Sequence, residues 1–240
     1  MIPLIVIAGP TTSKKSDTAI ELAEKINAEI ISADSMQVYK YFDIGTAKVS
    51  PEGRARVPHH LIDILEPSEN FTAFDFKTLA LNLIRDLVGR NKIPIITGGT
   101  GLYLKVLCED YNCAVQIIPE IKKQVQSETL SKGLSVLYKE LQGVDPTSAK
   151  KILPTDTQRI ERAVSVYRQT GITLSAFNKT HSKSKYEFPI YTFLIKRNRE
   201  SLYTDINQRV DNMMKNGWVE EVRSIIDGGF SKRLKPFQSI

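Results

Sequence analysis

The chain of 240 residues has few cysteines and no long apolar run. Its two cysteines, Cys108 and Cys113, lack the second ligand pair of a zinc site, so we expect free thiols in a reducing cytoplasm. No apolar stretch reaches the roughly 20 residues that span a bilayer. The apolar N-terminus has no basic leader and no cleavage site, so it indicates a first strand rather than a signal peptide. These absences predict a cytoplasmic protein without a membrane partner, and we expect a monomer.

Acidic residues are too few in the second half of the chain to balance the basic ones. Residues 1–110 carry 12 Lys and Arg against 14 Asp and Glu, whereas residues 111–240 carry 21 against 13. A basic half suggests a polyanionic partner such as nucleic acid. On charge alone, a solvated basic surface explains the asymmetry equally well.

Four short apolar runs have the composition of β-strands, and residues 60–65 are a candidate fifth strand. Between them, apolar positions recur at helical spacing. Continuous apolar strands that alternate with helices predict an α/β fold, a parallel sheet flanked by helices on both faces. Ligands of such sheets bind beyond the carboxyl ends of the strands, where Gly9, Asp34, Gly98 and Gly99 fall. The four predicted strands are residues 4–9, 29–34, 93–99 and 190–196.

Strand patterns are missing from about residue 109 to residue 188, where successive short helices are separated by Gly, Pro and Asp. This segment predicts a helical domain inserted between two strands of the sheet. The predicted domains are a first part of the α/β core, residues 1–108, the insertion, residues 109–188, and a last part of the core, residues 189–240.

The segment "AGPTTSKKSDTA", residues 8–19, lacks one glycine of a phosphate-binding loop. It joins a strand to a helix, as the P-loop pattern G-x-x-x-x-G-K-[ST] requires, but Lys14 stands at the second glycine. Amides at a helix N-terminus attract anions, Lys15 would reach a terminal phosphate, and Ser16 would ligate Mg²⁺. A glycine-type dihedral at Lys14 would cost on the order of 1 kcal/mol. A plain strand-to-helix turn is the alternative. The predicted phosphate ligands are Gly9, Pro10, Thr11, Thr12, Ser13, Lys14, Lys15 and Ser16.

Two further polar positions follow predicted strands. Asp34 could ligate Mg²⁺ through water or act as a general base, and a structural or helix-capping aspartate is equally compatible with its position. Thr100 lies between glycines with its hydroxyl aimed at the same crevice, although a simple helix start has the same pattern. The adjacent His59 and His60 point apart, which favours packing and hydrogen bonding over metal ligation.

Taken together, the motifs resemble those of the tRNA dimethylallyltransferases, also called tRNA isopentenyltransferases. The resemblance covers nearly the whole chain, and the second and fifth segments are specific in combination. The segments are "AGPTTSKKS", "ISADSMQVYKYFDIGTAK", "VPHHLIDILEPSENFTAFDF", "PIITGGTGLYLK", "DPTSAKKILPTDTQRIERAVSVYRQTG" and "LYTDINQRVDNMMKNGWVEEV".

This resemblance implies a P-loop NTPase-like fold and transfer of a dimethylallyl group from dimethylallyl diphosphate to N6 of adenosine 37, next to the anticodon of tRNA. It implies that Lys15, Ser16 with Mg²⁺ as cofactor, and Arg199 stabilise the departing pyrophosphate. Asp34 would be the base, and Thr100 would bond near the breaking ester oxygen. The partners would be dimethylallyl diphosphate and the anticodon stem-loop of tRNA. The implied tRNA contacts are Asp34, Ser35, Met36, Gln37, Gln158, Arg159, Ile160, Glu161 and Arg162.

The sequence departs from the family at Lys14, where the family has Gly, and at Thr12, where Ala is usual. It also stops at "PFQSI", where the family continues with Gly-Tyr and further helix. These departures favour, as one alternative, an inactive or impaired tRNA-binding relative. A small-molecule P-loop kinase and a prenyltransferase acting on free adenine nucleotides are further alternatives, but neither explains the basic insertion.

Overall fold

A computed structural model describes residues 2–109, 115–179 and 188–238. The strands are β1 Leu4–Ala8, β2 Ala28–Ser32, β3 His59–His60, β4 Ile93–Gly98 and β5 Ile190–Leu194. The α-helices are α1 Lys15–Ile26, α2 Pro51–Arg56, α3 Ala73–Gly89, α4 Gly101–Cys108, α5 Pro119–Lys132, α6 Leu134–Val144, α7 Pro146–Ala149, α8 Thr157–Thr170, α9 Leu174–Lys179, α10 Arg199–Lys215 and α11 Trp218–Asp227. A 3₁₀ helix covers Lys235–Gln238.

The chain divides into two compact units. One comprises Met1–Cys108 together with Lys185–Ile240, and the other comprises Glu109–Ser184. All five strands belong to the first unit, and the second is helical in its described part.

The first unit is built on a parallel sheet with the strand order β3-β2-β4-β1-β5. Ile7, Ile30 and Ile95 share one face and pack with residues of α1. The alternate residues Val6 and Ile31 point to the opposite face, and both are at most 1% exposed. Both faces of the central strands β1 and β4 are covered and their residues are mostly apolar, whereas the edge strand β5 is mostly exposed. The predicted α/β fold class is confirmed.

Local signals explain where the main helices begin. The hydroxyl of Thr72 accepts a hydrogen bond from the amide of Asp75, whose carboxylate accepts one from the amide of Thr72, and this reciprocal pair starts α3. The aromatic rings of Phe76 and Tyr103, from α3 and α4, stack with centroids 4.3 Å apart. In the second unit, the Asp156 side chain caps α8, which ends at Gly171 in the left-handed conformation.

The candidate fifth strand is much shorter than its apolar run of residues 60–65. β3 covers His59–His60 alone, because Leu61 and Asp63 have positive φ values of 62° and 55°, which interrupt strand geometry. Leu65 forms an isolated parallel bridge with Tyr39, outside the five strands.

The core of the second unit is formed by α5, α6, α7 and α8. Its helices α5 and α7 begin with Pro119 and Pro146, which suit the first helical position because that amide has no partner in the helix. The buried residues that form this core are Val125, Leu137, Leu141, Ala149, Ile152, Ile160, Ala163 and Val164.

Two expectations from composition concern the described residues. In that part of the chain, no helix is both long and apolar enough to cross a bilayer. Cys108 forms no disulfide within the described residues, and Cys113 lies outside them.

Candidate functional site

The phosphate loop, residues 9–16, leads from the end of β1 into α1. A Cβ atom at Gly9 would lie 2.7 Å from the Oγ of Ser13, so a side chain there would collide with the turn. The ammonium of Lys15 donates a 3.1 Å hydrogen bond to the carbonyl of Pro10. The loop thus closes on itself and holds the Lys15 ammonium close to its backbone.

Lys14 takes the backbone conformation that glycine prefers. Its φ and ψ are 60° and 26°, and it stands directly before α1 without a side-chain cap. Thr12 also has a positive φ, of 58°. A left-handed conformation costs a residue with a Cβ roughly 1–2 kcal/mol. The backbone therefore has the geometry expected from the motif, and Lys14 strains it.

The carboxyl ends of β2 and β4 approach so closely that a glycine is required. A Cβ atom at Gly98 would lie 2.2 Å from the carbonyl oxygen of Ala33. The same carbonyl accepts a 3.2 Å hydrogen bond from the amide of Thr100. This packing brings Asp34 beside Gly99, where a Cβ would be 3.8 Å from the Asp34 Oδ2 atom.

Backbone amides fix the carboxylate of Asp34. Its Oδ1 atom accepts hydrogen bonds from the amides of Met36, at 2.9 Å, and Gln37, at 3.3 Å. The Thr100 hydroxyl accepts a 2.9 Å bond from the Ser35 amide and donates to the Ser35 hydroxyl at 3.2 Å. Within the described residues, the Asp34 Oδ2 atom has no hydrogen-bond partner. That oxygen is available to a ligand.

These strand ends border an open cavity of about 200 Å³. Its walls are formed by the phosphate loop, the ends of β2 and β4, the segment after β2, β3 with the residues that follow it, and one residue of α10. The lining residues are Gly9, Pro10, Thr11, Lys15, Ser16, Ile30, Ser32, Asp34, Gln37, Thr46, Ala47, Val49, His59, Ile62, Thr97, Gly98, Gly99 and Arg209.

Two cations and one carboxylate dominate the electrostatics of the cavity. Arg209 donates a 3.0 Å hydrogen bond to the Thr11 hydroxyl, which brings its guanidinium to the phosphate loop. Burial lowers the pKa of Lys15, an effect that Asp34 opposes and Arg209 reinforces. Burial also lowers the pKa of Arg209, against the attraction of Asp34. Two half-buried cations beside one carboxylate leave a net positive charge in the cavity, which suits an anion.

Several predicted site residues do not line this cavity. Thr12, Ser13 and Lys14 belong to the phosphate loop but are not among the lining residues. Ser35, Met36 and Thr100 are not among them either: the Met36 amide donates to Asp34, and Thr100 bonds to Ser35. Arg199 lies at the start of α10, where its guanidinium donates to the Tyr203 hydroxyl at 3.3 Å and covers the Tyr203 ring.

The structure adds residues that sequence reasoning did not assign to the site. Arg209 lies within the quoted segment "LYTDINQRV", and the motif was the only signal for it. Thr97 and His59 also line the cavity, and neither the Thr97 hydroxyl nor the His59 Nε2 atom has a partner among the described residues. The two adjacent histidines do point apart: His59 Nδ1 lies 2.7 Å from the Val57 carbonyl, and His60 Nε2 lies 2.8 Å from Glu29.

The predicted tRNA contacts of the second unit lie on α8. Gln158 and Arg159 are exposed, and Arg159 pairs with Asp156 at 3.3 Å. Glu161 accepts a 2.7 Å hydrogen bond from Thr129, and Arg162 donates one of 2.6 Å to the Val115 carbonyl. Ile160 is fully buried in the core, so its side chain is not available to RNA.

Comparison with known proteins decides the family. A family model described as IPP transferase matches residues 37–240, and one described as isopentenyl transferase matches residues 2–58. The tRNA dimethylallyltransferase of Syntrophobacter fumaroxidans is 42% identical over 239 residues, which cover all of this chain and 70% of that protein. The chain belongs to the tRNA dimethylallyltransferase family.

Other members of the family are also similar to the chain. The tRNA dimethylallyltransferase 1 of Citrifermentans bemidjiense is 45% identical, over all of this chain and 77% of that protein. The crystal structure of the tRNA delta(2)-isopentenylpyrophosphate transferase from Staphylococcus epidermidis matches with a TM-score of 0.66 and 40% identity, over 100% of this chain and 78% of that one. A eukaryotic dimethylallyltransferase, crystallised acting on tRNA, matches with a TM-score of 0.84 and 32% identity, over 99% and 59% of the two chains.

These matches confirm the family and the enzyme class that the motifs predicted, a prenyltransferase. They also support the P-loop NTPase-like fold, since solved family members match 99% to 100% of the chain with TM-scores of 0.66 and 0.84. The small-molecule kinase hypothesis loses support accordingly.

Proposed function

We propose that this chain transfers the dimethylallyl group of dimethylallyl diphosphate to N6 of adenosine 37, next to the anticodon of tRNA. One observation carries the proposal: Lys15, Arg209 and Asp34 line the same cavity, so an anion site and a proton acceptor border one space. The relatives named as tRNA dimethylallyltransferases, at 42% and 45% identity, support the reaction type.

The diphosphate of the donor would bind at the phosphate loop. The ammonium of Lys15 and the guanidinium of Arg209 lie on the cavity wall, and the amides at the start of α1 add partial positive charge. The burial that lowers the pKa of both cations also strengthens their attraction for an anion that displaces water. Held in this way, the pyrophosphate can leave with the electrons of the broken carbon–oxygen bond.

Mg²⁺ would fit the donor end through Ser16, which lines the cavity and offers a hard oxygen ligand. Among the described residues no cluster of three or more His, Cys, Asp or Glu side chains could hold a metal ion. Mg²⁺ does not need such a cluster, because it is usually bound by substrate phosphates and water together with one or two protein oxygens. When bound, the ion would neutralise charge on the departing pyrophosphate.

Asp34 would act on the acceptor. The amine of adenine is a poor nucleophile because its lone pair is delocalised into the ring. The amine nitrogen forms the bond to the allylic carbon, and its proton passes to the Asp34 Oδ2 atom, which has no other partner in the described chain. Amides that bind the Oδ1 atom hold the carboxylate in place, and Thr100 orders the Ser35 amide beside it. Thr100 would thus be a positioning residue.

The second unit would bind the anticodon stem-loop. Glu109–Ser184 carries 11 Lys and Arg against 8 Asp and Glu, and Gln158 and Arg159 are exposed on α8. Contacts with phosphates position an RNA and make its affinity salt-dependent. We therefore assign Gln158, Arg159, Glu161 and Arg162 to RNA binding, with Ser35, Met36 and Gln37 near the target base.

The test is incubation of the chain with unmodified tRNA, dimethylallyl diphosphate and Mg²⁺, followed by analysis of the nucleosides. We expect prenylated adenosine from the wild-type chain and none from Asp34→Ala, with a tRNA that carries guanosine at position 37 as the substrate control. Donor-independent binding of tRNA without product would refute the proposal.

The left-handed Lys14 supports a second hypothesis, an impaired relative that still binds tRNA. Its strain lies in the loop that would hold the diphosphate. This hypothesis predicts salt-sensitive tRNA binding and no product from the wild-type chain, with product restored in Lys14→Gly. The nucleoside analysis separates the two hypotheses directly.

A further inference from the structure

Residues 42–49, which we call the wall loop, form one side of the cavity. Thr46 and Ala47 line it, and their carbonyls accept hydrogen bonds of 3.3 and 3.2 Å from the Gln37 side chain. The backbone amide of Gln37 in turn donates to the carboxylate of Asp34. A shift of the wall loop would therefore move Gln37 and, through its amide, the carboxylate of Asp34, which would accept the proton.

A carboxylate from α11 holds the wall loop from outside. Glu221, in the first turn of α11, accepts hydrogen bonds from three consecutive backbone amides. Its Oε2 atom accepts from Asp43 at 2.8 Å and from Ile44 at 2.7 Å, and its Oε1 atom accepts from Gly45 at 3.1 Å. Consecutive amides that converge on one anion form a strong and directional contact.

The same turn of α11 packs directly against the wall loop. A Cβ atom at Gly45 would lie 2.3 Å from the Nε1 atom of Trp218, so the backbone of the loop touches the indole ring. Trp218 is the single tryptophan of the chain. The tryptophan fluorescence of the chain therefore comes from this position alone.

Inside the wall loop, a buried lysine makes the remaining contacts. The side chain of Lys48 is 1% exposed and donates to the Tyr39 carbonyl at 2.8 Å and to the carboxylates of Asp43 and Asp63. The hydroxyl of Thr46 donates to the carbonyl of Phe42 at 2.6 Å. None of these bonds involves the amides of Ile44 and Gly45, which Glu221 binds. Glu221 thus supplies the hydrogen-bond acceptor for these two amides.

We propose that Glu221 is a positioning residue that sets the acceptor side of the cavity through the wall loop and Gln37. This inference rests on the proposed function. The donor side depends on other elements, the phosphate loop and α10, whose contact runs from Arg209 to Thr11. Loss of Glu221 therefore impairs use of tRNA and spares affinity for dimethylallyl diphosphate.

Kinetics of Glu221→Ala test whether the loss affects the use of tRNA and not the affinity for dimethylallyl diphosphate. We expect kcat/KM for tRNA to fall about 10- to 100-fold, since a misplacement of about 1 Å near a reacting group has this effect. The dissociation constant of dimethylallyl diphosphate, measured by calorimetry, should change less than about twofold. Glu221→Gln should fall between wild type and Glu221→Ala, because its amide oxygen can still accept from two of the three amides. Equal losses for donor and tRNA would overturn the inference.

Glu220→Ala is the matched control. Glu220 lies in the same helical turn, is exposed, and pairs only with Arg223 at 3.8 Å among the described residues. It should retain wild-type kinetics, and a loss in Glu220→Ala as large as in Glu221→Ala would contradict a specific role of Glu221. If Glu221→Ala does not fold, as judged by circular dichroism, the comparison is made between Glu221→Gln and Glu220→Gln.

Fluorescence of Trp218 tests the contact independently of any activity. Glu221→Ala and Gly45→Ala should both shift its emission to the red and increase quenching by acrylamide, whereas Glu220→Ala should not. If the wild-type chain makes no prenylated adenosine, the proposed function fails, and the fluorescence still decides whether Glu221 holds the loop. Unchanged emission and quenching in folded Glu221→Ala would overturn the inference itself.

Discussion

Replacement of Lys14 by glycine tests the account of the phosphate loop. Lys14 has a φ of 60° and a ψ of 26°, directly before α1, and its side chain is exposed. Lys14→Gly removes both the strain and the ammonium. Lys14→Ala removes the ammonium alone, because alanine keeps the Cβ atom that disfavours this conformation. The comparison between the two variants therefore isolates the backbone.

The expected difference follows from two opposing effects. Relief of the left-handed conformation contributes roughly 1–2 kcal/mol to the free energy of unfolding. The greater freedom of glycine in the unfolded chain removes roughly 0.5–1 kcal/mol of it. Lys14→Gly should therefore be about 0.5–1 kcal/mol more stable than Lys14→Ala, which raises its melting temperature by about 1–4 °C in a chain of this size.

Two measurements check this expectation. Thermal melting compares the two variants in the same buffer, and calorimetry compares their affinities for dimethylallyl diphosphate with that of wild type. At low ionic strength, loss of the ammonium beside the start of α1 should weaken donor affinity about two- to fivefold in Lys14→Ala. A Lys14→Gly variant that melts at or below the temperature of Lys14→Ala would refute the strain argument.

Three further predictions concern the cavity. Arg209→Ala should weaken donor affinity about 10- to 100-fold, as loss of a charged hydrogen bond does, whereas Arg199→Ala stays within about twofold in the same calorimetric titration. Asp34→Asn should lower the single-turnover rate about 10²- to 10⁴-fold without weakening donor affinity. Because burial and Arg209 lower the pKa of Lys15, whose protonated form binds the diphosphate, donor affinity should fall as the pH rises through that lowered pKa. In Arg209→Ala the fall in donor affinity should move to higher pH, because Arg209 no longer lowers the pKa of Lys15. A fall at the same pH as in wild type would contradict this effect of Arg209 on Lys15.

The central strands could be predicted because burial on both faces makes them apolar throughout. "LIVIA" in β1 and "IPIIT" in β4 are apolar and mostly buried, whereas "IYTFL" in the edge strand β5 is similarly apolar although most of it is exposed. The run of residues 60–65 contains four apolar residues, yet the left-handed residues Leu61 and Asp63 end β3 after two residues. The pattern of apolar and polar side chains does not predict left-handed residues such as Leu61 and Asp63, because neither is a glycine.

The candidate site was predictable where its residues follow strand ends. Gly9, Lys15 and Asp34 lie there, and the topology of a parallel sheet places those ends together. Arg209 lies in the middle of a helix, about 15 Å along the axis from Arg199, the residue that the motif suggested. Nothing in the residues next to Arg209 distinguishes it, among the 33 Lys and Arg of the chain, as the one that contacts the phosphate loop. That contact depends on how α10 packs, which no short segment encodes.

The pairing of β1 has a consequence for synthesis on the ribosome. β1 is hydrogen-bonded on one side to β5, and the Thr11–Arg209 bond joins residues that are 198 positions apart. The whole helical unit is translated between these partners, and the N-terminal part of a chain emerges first. Until residues 190–194 have left the exit tunnel, β1 has an unpaired edge that can associate with other chains. A nascent chain arrested within the helical unit would therefore need protection by a chaperone and could not yet complete its anion site.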